Sequence, residues 1–340
     1  MNFGGTIRLN KFGVCIVTAL LFLLIFYITS SYKSDSELKN VVSLKKLLIA
    51  SIETAIKGGK QVVDVHKSPD LQERVKGKTK EGANELVTTA DERSNCVMYY
   101  SLTHAYPEIK VISEESSPES GCRAYQSLEF DQNVLGTNEI EDEEVSVSDV
   151  KVWIDPLDAT QEFTEKLLEY VTTMVCVAVK GEPVIGVIHF PFGEEPRTTW
   201  AWVGKGVSSD IKQKSARTVD ESIKSIIISR SHKGEVEKIV KEALGENVNI
   251  ISAGGSGYKS LEVASKNVTA YVHTTEIKKW DICAGNAILN ALNGHMTTLK
   301  NEKITYGSPE EKVNHNGLLA TLGEHEQIVD KLKLILKKDS

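Results

Sequence analysis

The chain has 340 residues, 41% of them hydrophobic and 26% charged, which is enough to bury one large core or two packed lobes and too apolar for a disordered tail. Its formal net charge of -7 gives no general attraction to nucleic acid and so excludes a polyanion-binding surface as the expected function. An anionic ligand would have to be small and held by local groups and metals.

Residues 1–11 include Arg8 and Lys11, and the next segment, Phe12 to Thr29, carries no charge. At a helical rise of about 1.5 Å it spans roughly 27 Å, sufficient for a thin bilayer. A cleaved signal peptide is the alternative, but its apolar core would be unusually long and Thr29-Ser30-Ser31 is a poor cleavage site. The expectation is therefore one uncleaved transmembrane helix over 12–29, with Arg8 and Lys11 kept cytosolic by the positive-inside rule. Residues 30–37 read as a polar stalk and residues 38–340 as a lumenal domain of two lobes, 38–210 and 211–340. The sequon Asn267-Val268-Thr269 agrees with that address. Such a short anchor suits early secretory membranes.

A helical pattern runs through Val41, Leu44, Leu48, Ile52, Ala55, Ile56 and Val62, and a second helix starts near Asp91 and ends before Pro107. Ile109 to Ile112 and Val150 to Ile154 read as strands with acidic residues at their carboxyl ends. Between them, residues 116–149 contain the run Glu139-Ile140-Glu141-Asp142-Glu143-Glu144, which reads as a solvated, mobile insertion. An antiparallel meander follows over Val171 to Val179, Val184 to Phe190 and Thr198 to Val203. Strands at Ile226 to Ser229, Asn249 to Ser252 and Thr269 to His273 then alternate with helices over Glu235 to Leu244 and Ser256 to Val263. A helix from Asp281 to Leu292, strands near Met296 to Leu299 and Gly317 to Thr321, and a terminal helix complete a layered α/β chain. Cys96, Cys122, Cys176 and Cys283 lie in the soluble part and allow three complete pairings, none selected by spacing. Cys283 reads as a small buried residue rather than a reactive thiol.

Chemistry concentrates in three acidic segments. In Asp155-Pro156-Leu157-Asp158-Ala159-Thr160 the proline fixes a turn that aims Asp155 and Asp158 at one cation and exposes the Leu157 carbonyl, the all-oxygen ligation that magnesium requires. An ordinary Asp-Pro turn is the plain alternative. Trp280-Asp281-Ile282-Cys283-Ala284-Gly285 places Asp281 at a helix start, where it could cap the helix or hold a metal. Ser113-Glu114-Glu115 ends a strand.

Taken in chain order, Ser113-Glu114-Glu115 first, these segments resemble the lithium-sensitive, magnesium-dependent inositol monophosphatase superfamily, with its acidic strand end, D-P-[IL]-D-x-T turn and W-D-x-x-[AG]-[GA] helix start. The resemblance runs from Leu38 to the C-terminus, with Ala159 where the family turn commonly has Gly. It implies an α-β-α-β-α sandwich of the sugar-phosphatase type and two or more Mg2+ held by Glu114, Asp155, the Leu157 carbonyl, Asp158 and Asp281. It also implies that Thr160 and Asp91 position and deprotonate the attacking water. Asp91 alone could equally be a helix N-cap.

Ser229-Arg230-Ser231-His232, Gly254-Gly255-Ser256-Gly257-Tyr258-Lys259 and Gln161-Glu162-Phe163-Thr164 resemble the bisphosphate nucleotidase branch. By that resemblance Ser229, His232, Gly255 and Lys259 contact a nucleotide bisphosphate, whose 3'-phosphate is hydrolysed to leave AMP. A glycine-rich helix start can present N-H groups to an anion, and Lys259 can add a point charge. With the anchor, the resemblance implies a single-pass type II Golgi membrane protein that clears the by-product of sulfotransferases, with a homodimer as the assembly to test. The alternatives are an inositol phosphate or sugar bisphosphate phosphatase of the same fold, and a catalytically silent membrane-anchored binding protein.

Overall fold

The structure is a computed structural model that describes residues 16–28, 40–68, 73–78, 84–122, 130–131, 133–135, 140–215, 224–231 and 235–337. Of the anchor expected over 12–29, residues 16–28 form an exposed helix and the remainder lies outside the described residues, as does the stalk at 30–37. Among the described residues no helix is long and apolar enough to cross a membrane.

Residues Ser43–Ser340 form one unit. Its first helix, α1 (Leu44–His66), is capped by Ser43, whose Oγ accepts the Lys46 amide at 3.0 Å. That hydroxyl donates to Asp142 Oδ2 at 2.6 Å, and Asp142 Oδ1 accepts the Lys45 amide at 3.0 Å. The acidic residues 141–144 of the expected insertion are exposed, as expected of a solvated run, but Asp142 is tied to the start of α1. It satisfies the otherwise unpaired N-H groups of a helix start, and Ile140 beside it is buried.

A hairpin of β1 (Arg74–Lys78) and β2 (Asn84–Val87), absent from the sequence expectation, precedes α2 (Thr89–Ala105). The first sheet then forms from β3 (Lys110–Ser113), β4 (Val150–Asp158), β5 (Thr172–Val179), β6 (Glu182–Phe190), β7 (Arg197–Trp202) and β8 (Gly206–Val207). These six lie side by side in chain order, antiparallel except for the β3–β4 pair. The second sheet comprises β9 (Ser225–Ser229), β10 (Asn249–Ala253), β11 (Ala270–His273), β12 (His295–Thr297) and β13 (Leu318–Thr321), in the order β10-β9-β11-β13-β12. Four more helices pack on these sheets: α4 (Val236–Leu244), α5 (Ser256–Ala264), α6 (Lys279–Ala291) and α7 (His325–Leu336), after a short α3 (Thr160–Thr164).

Side-chain alternation explains the layering. Ile227, Tyr271 and Leu318 face inward to meet Leu261, Cys283 and Ile288 of α5 and α6, which in turn meet Trp153, Cys176 and Ile188 of the first sheet. Their strand neighbours Ile226, Ile228, Val272 and Leu319 point the other way, onto Ile239 and Val240 of α4 and Ile328 and Leu332 of α7. With α1 and α2 against the outer face of the first sheet, the order is α-β-α-β-α.

Gly186 of β6 sets how closely α6 approaches, since a Cβ there would lie 2.2 Å from the Ala284 carbonyl oxygen. The neighbouring Cys283 is buried and bonded to Cys176, and Cys96 is bonded to Cys122. Cys283 is therefore not simply a small buried residue. Its bond closes a loop of 107 residues, worth about 4–5 kcal/mol in the chain-entropy treatment. Gly186→Ala is expected to destabilise the fold by about 1–3 kcal/mol through overpacking, read as a lower urea midpoint at unchanged m-value.

Candidate active site

The Asp-Pro segment is a bulged strand end rather than a plain turn. Asp155 pairs with Met174 and Asp158 with Thr172, so three steps on β4 match two on β5. Residues three apart in a regular strand point to opposite faces, and one extra residue brings both carboxylates to the same side. Pro156, with no N-H to give the ladder, suits that interruption. Its carbonyl accepts Ser94 Oγ of α2 at 2.7 Å, and Asp155 Oδ1 accepts the Leu157 amide at 3.1 Å. Ala159 then turns the chain into α3 in the left-handed region, with φ 70°, a conformation that favours the glycine common at this place in the family turn.

Glu114 follows β3, and its amide bonds the Ile154 carbonyl of β4 at 3.2 Å. Asp281 stands in the first turn of α6, where Lys278 is the N-cap, so the carboxylate is not spent on capping. One oxygen each from Glu114, Asp155 and Asp281 lies within 4.8 Å of the others. Burial, followed by Glu114 and Asp158, pushes the carboxyls of Asp155 and Asp281 well above the ordinary range. Asp158 stands beside this group. Its Oδ2 accepts the Gly257 amide at 2.7 Å and Thr172 Oγ1 at 3.3 Å, and burial raises its pKa against the pull of Lys259 and that amide.

At the glycine-rich start of α5, expected to present N-H groups to a substrate anion, the Gly257 N-H is given to Asp158 instead. Gly255, at φ +61°, permits the contact, because a Cβ would meet the Tyr170 carbonyl oxygen at 2.6 Å and Asp158 Oδ2 at 3.1 Å. Lys259, expected as a point charge toward the substrate, stands among the carboxylates. It is 3% exposed, its Nζ donates to the Gly255 carbonyl at 2.5 Å, and burial lowers its pKa to about 8 against the attraction of Asp158, Glu162 and Asp281. It acts as a counter-charge within the carboxylate group.

Thr160 and Asp91 do meet, with Thr160 Oγ1 donating to Asp91 Oδ1 at 3.0 Å and lying 3.1 Å from the Leu157 carbonyl. Asp91 is not the N-cap. Thr88 holds that position, and Asp91 Oδ2 accepts the Thr88 amide and hydroxyl at 2.7 Å each as the return arm of a capping box. Burial raises the Asp91 carboxyl to about 7, opposed by the Thr88 bonds and aided by Glu114.

Glu114, Asp155, Asp158, Thr160 and Asp281 line a cavity of ≈290 Å3 that also includes Ser229, Gly255 and Lys259, near the lower end of small-ligand sites; Asp91 stands behind Thr160 and is not part of its wall. His232 lies outside the described residues. Lys76 went unnoticed in the sequence. It reaches from the hairpin to Glu114 Oε1 at 2.6 Å and also bonds Glu115; burial lowers its pKa, but the two glutamates outweigh this and raise it. Nothing local in Arg74-Val75-Lys76-Gly77-Lys78 links Lys76 to Glu114.

Crowded, buried or half-buried carboxylates that repel one another, with oxygen donors alone, fit a hard divalent cation. A layered α-β-α-β-α sandwich with such a site and a threonine–aspartate pair beside it defines a phosphatase of small phosphate esters. The chain belongs to the inositol monophosphatase family, which it matches over residues 43–334 and whose members use Mg2+. It is 43% identical over 343 residues to inositol monophosphatase 3 of Danio rerio, covering 96% of this chain and 97% of that one. It is 44% identical over 300 residues to the Golgi-resident adenosine 3',5'-bisphosphate 3'-phosphatase of Bos taurus, covering 86% and 80%. Among solved structures, the extragenic suppressor protein suhB from Bartonella henselae has a TM-score of 0.60 at 21% identity, over 85% of this chain and 97% of that one. CysQ from Bacteroides thetaiotaomicron has 0.58 at 22%, over 82% and 98%. These two likenesses speak for the fold alone.

Proposed function

We propose that the protein removes the 3'-phosphate of adenosine 3',5'-bisphosphate, giving AMP and phosphate. Glu114, Asp155, Asp158, Asp281 and the Leu157 carbonyl would hold Mg2+, which when bound neutralises charge growing on the phosphoryl and leaving oxygens. Thr160 orients the attacking water, and Asp91 takes the hydroxyl proton that Thr160 gives up. The observation that carries the nucleotide reading is the cavity wall. Beside Ser229 and Gly255 it holds Leu86, Ile277 and Val313, apolar faces suited to a purine and wasted on a polyol ring. The Bos taurus relative's name supports the same substrate.

Two disulfides suit an oxidising compartment, and Asn267 of the sequon is exposed. Together with that relative's name they support a Golgi-lumenal site of action, with the apolar segment at 12–29 as a single-pass type II anchor. In that lumen the enzyme clears the by-product of sulfotransferases, and lithium inhibits it by taking a magnesium position. A second reading, hydrolysis of inositol phosphates, is favoured by the name of the Danio rerio relative. Phosphate release by the purified protein with Mg2+, from adenosine 3',5'-bisphosphate and inositol 1-phosphate in parallel, separates the two. Preference for the nucleotide is expected; preference for inositol 1-phosphate would overturn the proposal, and silence on both would leave a binding protein.

A further inference from the structure

Arg230 directly follows β9, between Ser229 and Ser231, both of which line the cavity. Its backbone N-H bonds the Ala253 carbonyl at 3.1 Å, which continues the β9–β10 ladder by one residue. The guanidinium is not among the groups that line the cavity. It reaches instead to α3, where Nη1 lies 2.5 Å from Glu165 Oε2 and 3.4 Å from Glu162 Oε1.

Glu165 is steadied in turn by Gln161 Nε2 at 2.9 Å. The Glu162 side chain is 3% exposed, wedged so closely under Gly254 that a Cβ there would lie 2.5 Å from its Cδ. The helix that carries both glutamates begins at Thr160. One side chain thus spans from the strand end bearing the Ser229 and Ser231 wall to the helix bearing the hydroxyl of the reacting end. One guanidinium nitrogen, Nη1, thus stands between two carboxylates of the same helix, and the planar head that carries it is held in orientation more rigidly than an ammonium on a flexible stem.

The geometry points to Arg230 as a positioning residue for substrate selection: by bridging Glu162 and Glu165 it fixes the distance between the Ser229–Ser231 wall and Thr160, and so which phosphate ester fits, without touching the substrate. This rests on the nucleotide reading for the identity of the ester but not for the bridge itself. A substrate that spans both walls depends on that distance for binding, whereas the dyad of Thr160 and Asp91 is built within the first sheet and its helices and does not.

The test is steady-state kinetics of Arg230→Lys, Arg230→Met and Glu165→Gln in the full-length, Mg2+-loaded protein, with thermal midpoints recorded alongside. For adenosine 3',5'-bisphosphate, KM should rise about 10-fold in Arg230→Met, a step that corresponds to one decade in affinity, with kcat within about two-fold of wild type. Arg230→Lys and Glu165→Gln should fall between the two. Should Arg230→Met not fold, the other two variants carry the same KM-against-kcat comparison. A fall in kcat at constant KM, or no change in either, would overturn the assignment. If the wild type prefers inositol 1-phosphate, the nucleotide reading fails while the same split, measured on that ester, still decides the role of Arg230.

Discussion

Asp155→Asn is expected to lower turnover by on the order of 10^3-fold or more, the scale at which a group acting on transition-state charge is lost, and yet to raise the thermal midpoint of the metal-free protein. Asp155 is 1% exposed and shares its space with Glu114, Asp158 and Asp281, so without a cation its charge is a burden to the fold. Removing it relieves that repulsion, and a gain of about 1 kcal/mol corresponds to roughly 2–4 °C in a domain of this size. The pH dependence has a defined sign. A carboxyl whose folded pKa lies above its unfolded value binds more protons when folded, so the metal-free protein loses stability as pH rises from the ordinary aspartate range through the raised values. Magnesium added at pH 7.5 should raise the midpoint of the wild type and have a much smaller effect on Asp155→Asn. Melting curves with chelator and with Mg2+ between pH 5 and 8 check both points. A variant that stays active, or a metal-free wild type that gains stability with rising pH, would remove Asp155 from the site.

What could be read in the chain beforehand follows from how local each signal is. Acidic residues at strand ends and a helix start are visible within a few positions one by one, and it was the resemblance of their order to the family signature that grouped Glu114, Asp155 and Asp281 before any geometry was known. The alternation of Ile226, Ile227 and Ile228 likewise foretells a strand buried on both faces. The bulge after Asp155 was hidden, because it is defined by register against β5 and not by the segment itself. The partner of the α5 start was hidden for a related reason: Gly257 and Asp158 are 99 residues apart, and a glycine-rich helix start looks the same whether it faces a substrate or a side chain. The strand carrying Lys76 shows almost no apolar face, its one large apolar residue Val75 being exposed, so hydrophobic periodicity had nothing to detect. Cysteine pairing depends on approach distances such as that of α6 to Gly186, and spacing carries none of that information.

Thr160→Val and Asp91→Asn should each reduce kcat by about 10^2–10^4-fold, the range for lost general acid–base catalysis, and the double variant should be no worse than the poorer single. Such non-additivity is what distinguishes two groups working as one unit from two separate contributors. The reason lies in the single proton of the Thr160 hydroxyl, which stands 3.0 Å from Asp91 Oδ1. The hydroxyl can take a proton from water only by releasing its own, and Asp91 Oδ1 is the acceptor in line for it. The other oxygen of Asp91 is committed to Thr88, so the carboxylate cannot rotate away and its free lone pairs stay aimed at Thr160. Acid should abolish the function, since a protonated Asp91 has no capacity to accept; its pKa of about 7 arises from burial first and from Glu114 in addition. Cations bound at Glu114 would reverse that second contribution and move the acid limb of the kcat profile below neutrality, while Thr160→Val should flatten the limb because Asp91 then no longer governs the rate. Losses that multiply in the double variant, or an acid limb unchanged in Thr160→Val, would show that the two residues act independently and that the 3.0 Å contact is only a helix-start bond.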